Sequence, residues 1–306
     1  MFKFEREQKV FNIGGVRIGG QPGEYPTVLI GSIFYEGHKI VKDITKGEFD
    51  KPQAQALIEK QEELSLKTGN PFILDVVGTT PEALIKYVDF VSEMTKAPFL
   101  VDSPSAGTRI QVMKHIMELG LGDRAIYNSI DYTVNADEIA KLKELNVKSA
   151  VIMAYNPKYP FPKGRLDILQ GSNEQKGLLQ AAKDAGIENT LIDTAVLDAP
   201  SIGLAAYAIH SVKSELGLPT GCGTANGIAM WKRVKEDYGS TGVSSTITAS
   251  AVSTLMMGAN FVLYGMVKYG EFIFPACALV DAMIAYNARN FGIRPKTKDH
   301  PLYKIF

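Results

Sequence analysis

The chain has 306 residues, 45% hydrophobic and 22% charged, with 33 basic and 33 acidic side chains and a formal net charge of +0. That balance, without a basic stripe, argues against a nucleic-acid binder. The two cysteines, Cys222 and Cys277, are far apart and form no CxxC pair, which argues against a disulfide scaffold or a cysteine-rich metal site and suits a reducing cytoplasm.

The opening MFKFEREQKVF is charged and lacks the apolar core of a signal peptide. Residues 10–20 alternate around Gly14-Gly15 and predict a β-hairpin that plugs the bottom of a barrel. Residues 27–35 are mostly apolar and predict the first barrel strand, followed by a polar loop. Asp50-Lys51-Pro52 reads as a helix start and Gly69 as its stop. Strands at 71–77, 98–102, 125–129 and 149–155 then alternate with helices at 81–95, 107–119 and 136–145. After a long loop a helix is expected at 174–185. Strand 190–193, helix 202–216, a strand from Pro219, helix 228–237, a strand at Phe261 and a last helix at 276–290 complete the series. The uncharged stretch 239–267 is long enough to span a bilayer. Its Ser/Thr-rich first half and its glycines favour a buried helix feeding the final strand, so no direct membrane span is expected.

Eight strand–helix units counted from Thr27, with no linker and no GxGxxG fingerprint, imply an α/β chain. The expectation is one (β/α)8 TIM-barrel domain over residues 1–306 with a short N-terminal β-hairpin.

Five strand-like runs carry an Asp or Asn at or near the end: PFILDVVG, PFLVDS, RAIYNSI, TLIDTA and PTGCGTANG. In such a barrel the strand C-termini converge on one mouth. Asp75, Asp102, Asn128, Asp193 and Asn226 would therefore face one another, a set suited to a flat, donor-rich heterocycle. Asp102 and Asp193 could instead cap helices. Asp75, followed by Val-Val-Gly, starts no helix. Asn226 lies in a glycine-rich segment through which backbone could approach a ligand closely. That segment could also hold a phosphate. An amide both donates and accepts, so it can stay bonded to a ring nitrogen whose protonation changes. His38 follows the first strand and is a further candidate for the mouth; Trp231 is expected to pack a helix onto the barrel. No histidines have metal-ligand spacing, so no bound metal is expected.

The long opening MFKFEREQKVFNIGGVRIGGQPGEYPTVLIGSIFYEGHKIV, with GNPFILDVVG, APFLVDS, RAIYNSI, LIDTAV and the ending DAMIAYN…HPLYKIF, resembles a family of pterin-dependent methyltransferases. This family comprises the H subunit of tetrahydromethanopterin S-methyltransferase and the related soluble methylcobamide:tetrahydrofolate methyltransferases. The resemblance implies that Asp102 with Ser103, Asn128 with Ser129, and Asp193 bind the pterin, with Asp75 as a further contact. Asn226 would stand at N5, although its context, GTANG, departs from the group's G-x-S-N-x-S pattern. The implied reaction moves a methyl group between a methylcob(III)amide and N5 of tetrahydrofolate or tetrahydromethanopterin. With no D-x-H-x-x-G motif in the chain, the cobalamin-type corrinoid would arrive on a separate carrier protein docking transiently. A soluble cytoplasmic enzyme is the leading expectation, and the many apolar helix positions leave room for a homodimer. The alternatives are a peripheral catalytic subunit of a membrane-bound tetrahydromethanopterin:coenzyme M methyltransferase complex and a non-catalytic pterin-binding scaffold. Dihydropteroate synthase chemistry would need basic residues for its pyrophosphate leaving group, and these strand ends are not basic.

Overall fold

The structure, a computed structural model, describes residues 2–172 and 176–306. Strands β1 (Val10–Ile13) and β2 (Val16–Gly19) form the antiparallel hairpin, turning at Gly14 and Gly15 with φ of 53° and 87°. Glycine reaches these angles without a Cβ clash. The first barrel strand, β3 (Val28–Ile33), follows. The segment expected as a polar loop contains a small antiparallel pair, β4 (Val41–Asp43) and β5 (Glu48–Phe49). Helix α1 (Lys51–Thr68) starts where the Asp50 side chain accepts the Gln53 N–H, and it ends at left-handed Gly69.

The alternation then runs through β6 (Phe72–Val77), α2 (Pro81–Met94), β7 (Phe99–Asp102), α3 (Ala106–Glu118), β8 (Ala125–Ile130), α4 (Ala136–Glu144) and β9 (Ser149–Met153). It continues with α5 (Pro162–Gln170), α6 (Leu178–Asp184), β10 (Asn189–Asp193), α7 (Ser201–Leu216), β11 (Thr220–Cys222), α8 (Thr224–Met230), α9 (Val234–Met256), β12 (Phe261–Met266), α10 (Gly270–Ala288) and α11 (Pro301–Lys304). Eight parallel strands close in the order β3-β6-β7-β8-β9-β10-β11-β12, with β12 paired back onto β3.

Several boundaries differ from expectation. Helix α5, with Pro162 in its first turn, occupies much of the loop expected after β9. The start of the expected 174–185 helix, at Glu174, lies outside the described residues, and α6 begins at Leu178. Asn226 sits in the first turn of α8 rather than in a loop. The 239–267 stretch divides between α9, which breaks at Gly239 (φ 65°), and β12. Helix α10 contains Pro275, which sequence reading places before the helix. The described stretch Val267–Phe291 is long and apolar enough to cross a membrane, yet half of its most apolar window is buried within the protein.

Alternation along each strand explains both cores. Outward residues such as Leu29, Leu74, Val101 and Ile152 pack under the helices. Inward residues Val28, Ile30, Ile73, Leu100, Ile126, Val151 and Leu191 fill the barrel's lower half, where Ile13 and Ile18 of the hairpin join them. The hairpin thus seals the N-terminal end, as its apolar positions suggest. Two residues beyond five of these inward positions the side chains turn polar: Ser32 after Ile30, Asp75 after Ile73, Asp102 after Leu100, Asn128 after Ile126, Asp193 after Leu191; after Val151 the position is Met153.

Candidate active site

Above that polar layer is a cavity of about 670 Å³, a size that suits a small organic ligand. Asp75, Asp102, Ser103, Asn128, Ser129, Asp193 and Asn226 all line it. Strand register sets their order: Ser32 on β3 faces Asp75 on β6, Val77 faces Asp102 on β7, and Asp102 faces Asn128 on β8. The Asn128–Ser129 peptide is cis, and the β8–β9 register shifts between Asn128 and Ile130.

The Ser32 hydroxyl donates to Asp75 Oδ2 at 2.6 Å, whereas Asp75 Oδ1 is buried without a partner. Burial pushes this carboxyl up to about 6, against the pull of the Ser32 hydroxyl and of the Asn128 amide, which is close by but makes no hydrogen bond to Oδ1. Burial, and then the charge of Asp75, push the Asp102 carboxyl well above the usual range, while Arg109 opposes the shift. Two adjacent buried carboxyls resist joint ionisation, so a ligand offering N–H donors would relieve them. Across the cavity, the Ala195 N–H donates to Asp193 Oδ1 at 2.7 Å, and burial raises that carboxyl to about 6.

The capping reading of Asp102 does not hold. Ser105 caps α3, accepting the Thr108 N–H at 3.3 Å, and this leaves the Asp102 carboxylate free to face the cavity. Helix α7 begins at Ser201, well beyond Asp193. Asn226 is exposed to the cavity, and its side-chain amide has no hydrogen-bond partner among the described residues. Upstream, Gly223 is so close to that amide that a Cβ there would lie 3.1 Å from Asn226 Nδ2.

His38 is not among the lining residues. It is buried behind Tyr35, stacked on that ring at 4.5 Å, and its Nδ1 accepts the Phe34 N–H at 3.1 Å. Burial, then Lys268, lowers it to about 4, so it is neutral at physiological pH. Tyr35 takes the lining position instead. Trp231, expected to pack a helix onto the barrel, is 41% exposed and lines the cavity at its rim.

Sequence reading also missed Arg109. Its guanidinium is buried, donates to the carbonyls of Ser103 and Ser129, and lies 3.4 Å from Glu138 Oε1. It stacks 4.9 Å from the Tyr127 ring, whose hydroxyl donates to the same Glu138 oxygen at 2.6 Å. One cation therefore ties together the ends of β7 and β8. The signal available in sequence was an arginine six residues after a strand-end Ser, among the apolar positions of a helix.

Among the described residues no group of three His, Cys, Asp or Glu is arranged to hold a metal. The cavity can accept several N–H donors and offer an amide to one further atom.

Residues 6–296 match the family described as the tetrahydromethanopterin S-methyltransferase MtrH subunit. The chain is 41% identical to the H subunit of the tetrahydromethanopterin S-methyltransferase of Methanothermobacter thermautotrophicus, over 100% of both chains. It is also 41% identical to the H subunit of the putative methyltransferase mtx of Methanosarcina barkeri, over 99% of both. A dihydropteroate synthase from Xanthomonas albilineans, in complex with indole-2-carboxylic acid and 6-chloroguanine, superposes with a TM-score of 0.58 at 14% identity, covering 90% of this chain and 98% of that one. The Yersinia pestis dihydropteroate synthase with a pterine–sulfa conjugate gives 0.59 at 15% identity and the same coverage. At such identities the likeness speaks for the barrel fold alone. By its whole-length match, the chain belongs to the tetrahydromethanopterin S-methyltransferase MtrH subunit family.

Proposed function

We propose that residues 1–306 act as one barrel domain that moves a methyl group between N5 of a reduced pterin and the cobalt of a corrinoid held by a separate carrier protein. The observation that carries this reading is the buried, unpartnered Asp75 Oδ1 among three carboxyls and two amides facing one cavity, in a chain of this family. A pterin edge presents adjacent N–H donors, and carboxylates and amides are their natural acceptors. Asp75, Asp102, Asn128 and Asp193 hold the fused ring, and Ser103 and Ser129 shape its wall. Tetrahydromethanopterin is favoured over tetrahydrofolate because relatives at 41% identity carry it in their names. The names also favour action as one subunit within a larger methyltransferase assembly, and we place that action in the cytoplasm.

The corrinoid supplies a cobalt centre that exchanges a methyl cation equivalent with the pterin. When the methyl leaves the pterin, the N5–carbon bond breaks and its electron pair stays on N5. A tertiary amine leaves poorly unless N5 is protonated. Asn226 can bond to N5 in either protonation state, while the proton itself is exchanged with water. A preorganised donor of this kind is worth about a hundredfold or more in turnover.

The test is Asn226→Ala, assayed under anoxia by the cob(I) spectrum formed from methylcob(III)alamin and a tetrahydropterin, with pterin affinity measured alongside. Turnover should fall about a hundredfold while affinity changes little. Equal losses in both would remove Asn226 from the chemistry. Pterin binding without any turnover, even with a carrier protein, would make the chain a pterin-binding scaffold.

A further inference from the structure

The cavity is chemically graded from floor to lip. Its floor carries the carboxyls of Asp75, Asp102 and Asp193. Its upper wall is apolar, with Val243 and Ile247 of α9 facing Leu263 of β12. Its lip is the corner between α8 and α9, where Lys232 and Lys235 line the opening on either side of buried Val234. Both lysines are exposed, and neither ammonium has an ion pair or hydrogen bond among the described residues. Arg233, between them, is already paired with Asp237 at 3.0 Å. The other carboxylate lining the cavity, Asp131, has its Oδ1 engaged by the Thr133 N–H and hydroxyl at 2.7 and 2.6 Å.

Two unpaired cations above an apolar wall and an acidic floor describe a ligand with three parts: a donor-rich ring, an apolar middle and an anionic end. Cations around the mouth of a cleft also concentrate anions there before binding. We infer that Lys232 and Lys235 select reduced pterins whose tail ends in an anionic group, a carboxylate or a phosphate, held at the lip while the ring occupies the floor. This rests on the pterin reading above and adds to it the side chains that read the tail.

The experiment compares binding of tail-less 6-methyltetrahydropterin, tetrahydrofolate and tetrahydromethanopterin to the wild type and to the double variant Lys232→Met/Lys235→Met, at low and high salt. Both positions are exposed, so the variant should fold. The wild type should prefer tailed pterins by about tenfold at low salt, as expected for two solvent-exposed charge contacts. The variant should lose that preference and keep its affinity for the tail-less pterin. A larger loss for tetrahydromethanopterin assigns the anion to phosphate; equal losses for the two tailed pterins assign it to carboxylate. Equal wild-type affinity for tailed and tail-less pterins overturns the inference and leaves the pterin reading standing. So does a variant that weakens all three alike. A variant with unchanged pterin affinities and reduced turnover with a carrier protein also overturns it, because the lysines would then serve the protein partner. Failure of the wild type to bind any pterin overturns the pterin reading itself.

Discussion

Replacing Asp193 by Asn should make the empty protein more stable at neutral pH and a poorer binder of its ligand. Asp193 is buried at the floor of the cavity, and burial lifts its carboxyl from 3.8 to about 6. The folded value lies above the unfolded one, so the folded protein is the better proton binder. This group's contribution to stability is therefore greatest below pH 4, declines as the pH rises from about 4 to about 6, and stays reduced above that. A difference of about 2 units corresponds to about 3 kcal/mol at pH 7.5. Asparagine carries no charge and still offers an oxygen to the Ala195 N–H, now at 2.7 Å from Asp193 Oδ1. The expected gain is about 1–3 kcal/mol at pH 7.5, shrinking to about a third of that near pH 4.5. Calorimetric melts of the ligand-free proteins at both pH values read it directly. Pterin affinity should fall in the same variant, because a carboxylate is the stronger acceptor. A variant less stable than wild type at pH 7.5, or an offset equal at both pH values, would refute the reasoning.

Arg109→Met should destabilise the barrel by about 3–5 kcal/mol, since it leaves Glu138 buried without its cation. Denaturant unfolding of Arg109→Met/Glu138→Gln should recover part of that loss, and no recovery would mean that Glu138 is not the strained partner. Gly265→Ala places a Cβ 2.7 Å from that of Ala225, at a φ of +83°, directly beneath the turn carrying Asn226. About 1–2 kcal/mol of backbone strain is expected. Turnover should fall more than pterin affinity, and steady-state kinetics beside a binding isotherm would separate the two.

The barrel and its polar floor were legible because alternation along a strand is a strong constraint. Ile73-x-Asp75, Leu100-x-Asp102, Ile126-x-Asn128 and Leu191-x-Asp193 each place an apolar residue inside the barrel and a polar one two positions later at the mouth. The upper half of the cavity was not legible. Its wall includes Val243 and Ile247 of α9, which reach the site only through the corner at Trp231, and a tertiary corner has no sequence period. His38 was misplaced for a related reason. Proximity in sequence to a strand end does not fix which way a loop side chain turns, and here Tyr35 took the cavity face and His38 the buried one. Arg109 was hidden because its partners are main-chain carbonyls of Ser103 and Ser129, which every residue possesses.

Ile13 and Ile18 of the hairpin fill the far end of the barrel, so among the described residues the cavity is closed at its floor and reached from the mouth. On the proposed function, the carrier protein that exchanges the methyl group with the ring covers the mouth. The small substrate then has no back door: it must be seated before the large one arrives and can leave only after it departs. A β-hairpin at the opposite pole of the molecule thereby imposes a compulsory sequence of arrivals and departures at the mouth, without touching either reactant.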